Sequence, residues 1–209
     1  MANFLSNIRY VSWAGIVLAV AFMLIVSLGY ANAPADSLLF WQAAFRWMHV
    51  LSGIMWIGLL YYFNFVQTPN APKIPEEHRG PAISKVITPA ALFWFRWGAM
   101  STIVTGLILA YIRGYLAEAV TLGASEGFAA PGHIFIGIGM WLGAIMWFNV
   151  WFVIWPNQQK ALNIDNKFPD LAADAKAAAG KAAGQFSRIN TLLSVPMLVA
   201  MTGAQTLFG

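Results

Sequence analysis

Five apolar stretches, each long enough to cross a bilayer, constrain this chain more than any other feature. A membrane-crossing helix needs about 20 predominantly apolar residues. Runs at roughly 10–30, 40–67, 89–113, 131–156 and 186–208 meet that length. All eight acidic residues (Asp36, Glu76, Glu77, Glu118, Glu126, Asp165, Asp170 and Asp174) fall between these runs. Only 10% of residues are charged, against about 25% in an ordinary soluble domain. The expectation is therefore an all-α, polytopic membrane protein of about five transmembrane helices, with the lipid bilayer as its surroundings. The first run has Arg9 before it and Ala31-Asn32-Ala33 after it, as a signal peptide would. Its apolar stretch exceeds the roughly 7–15 residues of a signal core, so it reads as a retained helix.

The net charge of +4 does not imply nucleic acid, because the basic residues lie in short connections where membrane topology uses them. Arg9 precedes the first span, Lys73, Arg79 and Lys85 follow the second, and Lys160, Lys167, Lys176 and Lys181 follow the fourth. The first connection has no Lys or Arg, and only Arg113 borders the third. This asymmetry predicts a cytoplasmic N-terminus and an outer C-terminus in a cell (inner) membrane. In the fourth connection, Pro169 to Ala179 reads as a short linker helix, with Pro169 in its first turn. The chain has no cysteine, which excludes thiolate metal sites, iron–sulfur clusters and covalently attached haem.

Spans two and four resemble each other. The second carries His49-x3-Gly53-x2-Trp56-x-Gly58-x4-Phe63-Asn64, and the fourth carries His133-x3-Gly137-x3-Trp141-x-Gly143-x4-Phe148-Asn149. Spans three and five echo each other more faintly, through Arg96 with Gly106 and Arg188 with Gly203. The expected architecture is a pseudo-symmetric four-helix bundle over 40–209, with halves of about 40–113 and 131–208. Residues 1–39 would add a helix and an outer loop. Duplication of this kind puts shared sites between the repeats. Asn64 and Asn149, in equivalent places, are expected to bridge helices.

An ionisable group inside a bilayer is costly and marks function by default. Residues four apart share a helix face, so Gly53 and Gly137 each lie one turn from a histidine. Glycine there would leave room for a flat group. Two imidazoles from facing helices would suit a b-type haem, with His49 and His133 as iron ligands. Arg46 and Arg113 would pair with its propionates, and Trp47, Trp56, Trp141 and Phe135 would supply apolar walls. A purely structural pair of histidines is the alternative, since duplication copies structural residues too. Copper is the other candidate occupant, through imidazole and Met48, Met55 or Met140. His78, in Pro75-Glu76-Glu77-His78-Arg79-Gly80, reads as solvated, and Trp13, Trp41 and Trp155 as interfacial. Arg96 and Arg188 read as snorkelling to headgroups. A carboxylate proton relay is not expected, because no span carries an acid.

The segment Phe45-Arg46-Trp47-Met48-His49-Val50-Leu51-Ser52-Gly53-Ile54-Met55-Trp56-Ile57-Gly58 and its continuation through Tyr61-Tyr62-Phe63-Asn64-Phe65 resemble the membrane domain of PuuD-type bacterial urate hydroxylases. So does Phe186-Ser187-Arg188-Ile189-Asn190-Thr191-Leu192-Leu193-Ser194-Val195-Pro196-Met197. The likeness covers about 40–209. A looser one, histidine followed by Trp-x-Gly, extends to HemJ-type and CopD-type membrane proteins. The HemJ-type likeness implies a haem-ligand role for His49 and says nothing of His133. Full-length PuuD-type enzymes carry a cytochrome c domain after the membrane part. No Cys-x-x-Cys-His occurs here, so urate oxidation by these residues alone is not expected. The resemblance implies a membrane redox protein, an oxidoreductase if an enzyme, working with other membrane subunits or a c-type cytochrome. A cofactor-free accessory subunit is the alternative from another class.

Overall fold

The computed structural model describes residues 5–29, 34–35 and 37–208. Asp36 and the Ala31-Asn32-Ala33 sequence lie outside the described residues. Helix is the only regular structure among the described residues, as a bilayer demands: it satisfies each backbone N–H and C=O within its own segment. Helix α1 (Ile8–Gly29) buries only Ser27. Most of its apolar surface is exposed among the described residues, and lipid is the solvent that fits. Helix α2 (Leu38–Tyr61) opens at Ser37, whose Oγ accepts from Phe40 N at 3.3 Å. It is followed by α3 (Thr88–Ile112), the short α4 (Leu116–Val120), α5 (Pro131–Phe148), α6 (Trp155–Leu162) and the 35-residue α7 (Ala173–Leu207).

By length and composition four helical stretches among the described residues can cross a membrane: Ile8–Gly29, Leu38–Lys73, Glu76–Ile112 and Pro131–Leu162. This is a multi-pass membrane protein. The fifth apolar run, 186–208, forms the second half of α7. Three stretches run past the ends expected from hydropathy, because π-helical turns carry the chain onward instead of breaking it. Tyr62–Gln67 continues α2, Arg79–Ile87 leads into α3, and Asn149–Ile154 joins α5 to α6. The linker helix expected at 169–179 is not a separate element. Pro169 and Asp170 form a turn, and the helix begins at Ala173 and continues through Pro196 to Leu207. Alanines and lysines offer no stop signal before the apolar half begins.

The bundle is two antiparallel hairpins. In the first, Gln42 Nε2 donates to the Ile112 carbonyl, Gly98 lies against the Trp56 backbone, and Gln67 Nε2 donates to Thr88 Oγ1 at 2.7 Å. In the second, Gly132 meets Phe208, Gly139 meets Ala200 and Met201, and Asn190 Nδ2 donates to the Met146 carbonyl at 2.9 Å. Small residues allow these close approaches where lipid supplies no hydrophobic drive to pack helices. The hairpins join around Trp56, Leu60, Phe95, Met146, Val150, Asn190 and Ser194, all less than 2% exposed. Both repeated asparagines bridge to α7, as expected. Asn64 Nδ2 donates to Ser187 Oγ at 2.7 Å, and Asn149 Nδ2 to Asn190 Oδ1 at 2.9 Å. Tyr61 OH and Ser194 Oγ add a third link at 2.9 Å.

Candidate functional site: two histidines in unlike settings

His49 sits mid-helix on α2 and faces α3. Its Nδ1 lies 2.9 Å from the Thr102 carbonyl oxygen. A carbonyl only accepts, so Nδ1 carries the proton and Nε2 keeps its lone pair. The ring lies over Gly106, where a Cβ would come within 2.8 Å of Cε1. Gly106 is thus the floor that admits the imidazole. On the same stripe of α2, Gly53 has open space, with no atom within 4 Å of where a Cβ would stand. A shallow cleft elsewhere on α2 is lined by Gln42, Arg46, Trp47 and Val50, and by neither His49 nor Gly53.

His133 is placed differently. Its Nδ1 lies 2.8 Å from Glu126 Oε1, and its ring stacks on Tyr115 with centroids 5.9 Å apart. The carboxylate accepts, so here too Nδ1 donates and Nε2 is the free nitrogen. The expected gap beside it is absent: the Ala119 carbonyl of α4 approaches Gly137 so closely that any side chain would collide. That glycine serves packing between α4 and α5, and leaves no slot for a flat ligand.

The repeat also aligns another residue with His49. Phe135 lies over Gly203, where a Cβ would come within 2.7 Å of Cε1, just as His49 lies over Gly106. Two rings from the first helix of each hairpin cap a glycine on the second. Phe135 therefore occupies the counterpart of the His49 position, and His133 lies two residues nearer the preceding loop.

Arg46 and Arg113 converge on Tyr115. Burial pushes the Tyr115 phenol above its ordinary value, and the positive charges of Arg113 and Arg46 partly offset the rise. The Arg113 guanidinium lies 5.8 Å from the Tyr115 ring centre. Both arginines are exposed and available to a carboxylate-bearing ligand. The expected aromatic wall is dispersed. Trp56 is in the core, Trp141 donates to the Val120 carbonyl at 2.9 Å, and Phe135 covers Gly203. Met55 packs on Gly98, away from a shared thioether site. No three of His, Asp and Glu gather as metal ligands among the described residues. His78 is exposed beside Glu77. Arg96 does not simply snorkel: its guanidinium lies 3.3 Å from the ring centre of Trp155, which is half-buried rather than a free interfacial residue. Arg188 is exposed.

Thr102, Tyr115 and Glu126 escape the sequence reading as site residues, and Gly106 reads there only as an echo of Gly203. Glu126 precedes His133 by seven residues, across a loop whose turns at Gly123 and Gly127 have positive φ. Only the fold of that loop brings the two together.

The second hairpin and the loop before it carry a family signature. A family model described as Urate oxidase N-terminal matches residues 115–206. This part of the chain is urate oxidase N-terminal-like. The match begins at Tyr115 and includes Glu126, His133 and the α5–α7 pairing. His49 lies before it. No curated protein and no solved structure matches the chain.

Proposed function

We propose that this urate oxidase N-terminal-like membrane protein is a redox protein that holds a b-type haem, with His49 as an iron ligand. One observation carries the reading: a membrane-embedded imidazole whose Nδ1–H is fixed by a carbonyl and whose Nε2 is uncommitted, beside open space at Gly53. Metal-ligating histidines are oriented in this way, because the second-shell acceptor sets the tautomer and raises ligand basicity. Haem supplies a one-electron couple when bound. Thr102 holds the tautomer, Gly106 fixes the ring, and Arg46 and Arg113 offer guanidinium groups to propionates. His133, expected as the second ligand, lies where the Ala119 carbonyl closes the space at Gly137, so the reading rests on His49. The protein would pass electrons within or beside a larger respiratory or oxidase assembly in the inner membrane.

The closed space at Gly137 favours a second reading, a cofactor-free accessory subunit whose glycine and aromatic faces serve packing alone. The two separate by haem content. Purified from haem-replete cells and assayed as pyridine haemochrome, the protein is expected to contain close to one haem b per chain. A colourless protein free of metal contradicts the haem reading and supports the accessory one.

A further inference from the structure

Among the described residues, three π-helical stretches meet at one place. At the end of the bundle away from His49 and His133 is a cavity of about 310 Å³. Phe63 and Gln67 reach it from Tyr62–Gln67, Arg79, Ile83 and Ser84 from Arg79–Ile87, and Ile154 from Asn149–Ile154. π-Helical turns are rare and recur at functional sites, because the extra residue re-aims side chains at a cost in backbone bonding. Three around one cavity is a pattern that packing alone does not require.

Gln67, on the cavity wall, carries an unmatched polar atom. Gln67 Nε2 donates to Thr88 Oγ1 at 2.7 Å, while its Oε1 is buried without a hydrogen-bond partner. Turning the amide over only exchanges which end is left unpaired. A buried amide end without a partner costs free energy that a suitable ligand recovers. The ligand group that serves either orientation is a hydroxyl, which both donates and accepts. Around it Phe63, Leu92, Phe95 and Ile154 are apolar, Ser84, Gln158 and Ser187 are polar, and Arg79 is the charged side chain among the described lining residues.

We propose that this cavity binds the head of a membrane-soluble hydroquinone, with one phenolic hydroxyl on the free end of the Gln67 amide. A flat ring with a hydroxyl answers the aromatic walls and the Gln67 amide. A phospholipid phosphate would answer Arg79 but brings no proton to an amide oxygen and leaves the aromatic walls unused. The site lies apart from His49, and binding does not depend on haem.

Anaerobic calorimetric titration of the detergent-solubilised protein with duroquinol, beside its dimethyl ether, tests this. The ether keeps the ring and lacks both hydroxyl protons. The expected result is saturable duroquinol binding about tenfold or more tighter than the ether, with the difference erased in Gln67→Leu. Ser84→Trp, which fills the cavity from a half-buried position, should abolish binding of both and carries the test if Gln67→Leu does not fold. Equal affinity for the two compounds, discrimination that survives Gln67→Leu, binding that survives Ser84→Trp, or displacement of duroquinol by phosphatidylglycerol would each overturn the proposal. Heat is read without reference to colour, so a haem-free protein that binds duroquinol would defeat the haem reading and leave this one standing.

Discussion

At the residue scale, what matters about each histidine is the group it faces. His49 and His133 lie on matching sequence motifs, yet one takes a carbonyl from a neighbouring span and the other a carboxylate from a loop. The motif was legible because His, Gly, Trp and Asn recur at near-helical spacing. The settings were not, because Thr102 and Glu126 carry no local signal of what they will accept. Tyr115 adds a pH dependence to the His133 loop. Its folded-state value is raised by burial, so the neutral phenol is favoured in the native protein. The resulting stability is fully present below the ordinary tyrosine value of about 10 and is lost as pH rises through the raised one. Thermal unfolding followed from pH 8 to about 11 should show this fall. Tyr115→Phe, which has no proton to lose, should flatten it, and an unchanged profile in that variant would refute the assignment.

At the scale of elements, the helices and their pairing followed from hydropathy and repetition, and their ends did not. The stretches beyond Tyr61, before Thr88 and beyond Phe148 hold Pro69, Pro81 and Pro156. Proline ordinarily interrupts a helix, yet the chain absorbs these three in π-helical and short helical turns that keep it helical. The linker helix fused with the last apolar run for the complementary reason, since nothing between Ala173 and Phe186 halts it. The asparagines that repetition singled out both bridge to α7, but only Asn64 does so across the two hairpins, while Asn149 pairs with Asn190 inside the second. Asn190 is fully buried, accepts from Asn149 and donates to the Met146 carbonyl. Asn64 is only half-buried and also bonds the Leu60 carbonyl in its own helix. Asn190→Ala should therefore destabilise the bundle by about 1–2 kcal/mol, and Asn64→Ala by less. Unfolding in mixed micelles measures both. Equal losses would mean that the Asn149–Asn190 pair is not the stronger link.

Across the whole molecule, a membrane solvent explains most of what is seen: long exposed apolar surfaces, acids confined to connections, and glycines at helix contacts. Class and repeat order were legible from the spans. The duplicated bundle was expected to set two imidazoles at equivalent places, and the fold instead makes Phe135 the counterpart of His49. A sequence repeat with one residue of slippage does not reveal which residue fills a slot; only the facing glycine does. That asymmetry makes His49 central to the redox account. The most direct test compares reduced-minus-oxidised spectra of the wild type, His49→Ala and His133→Ala in native membranes. The account predicts a b-type band in the wild type that disappears in His49→Ala and persists in His133→Ala. A b-type band that survives His49→Ala undiminished, or that is missing from the wild type, contradicts it.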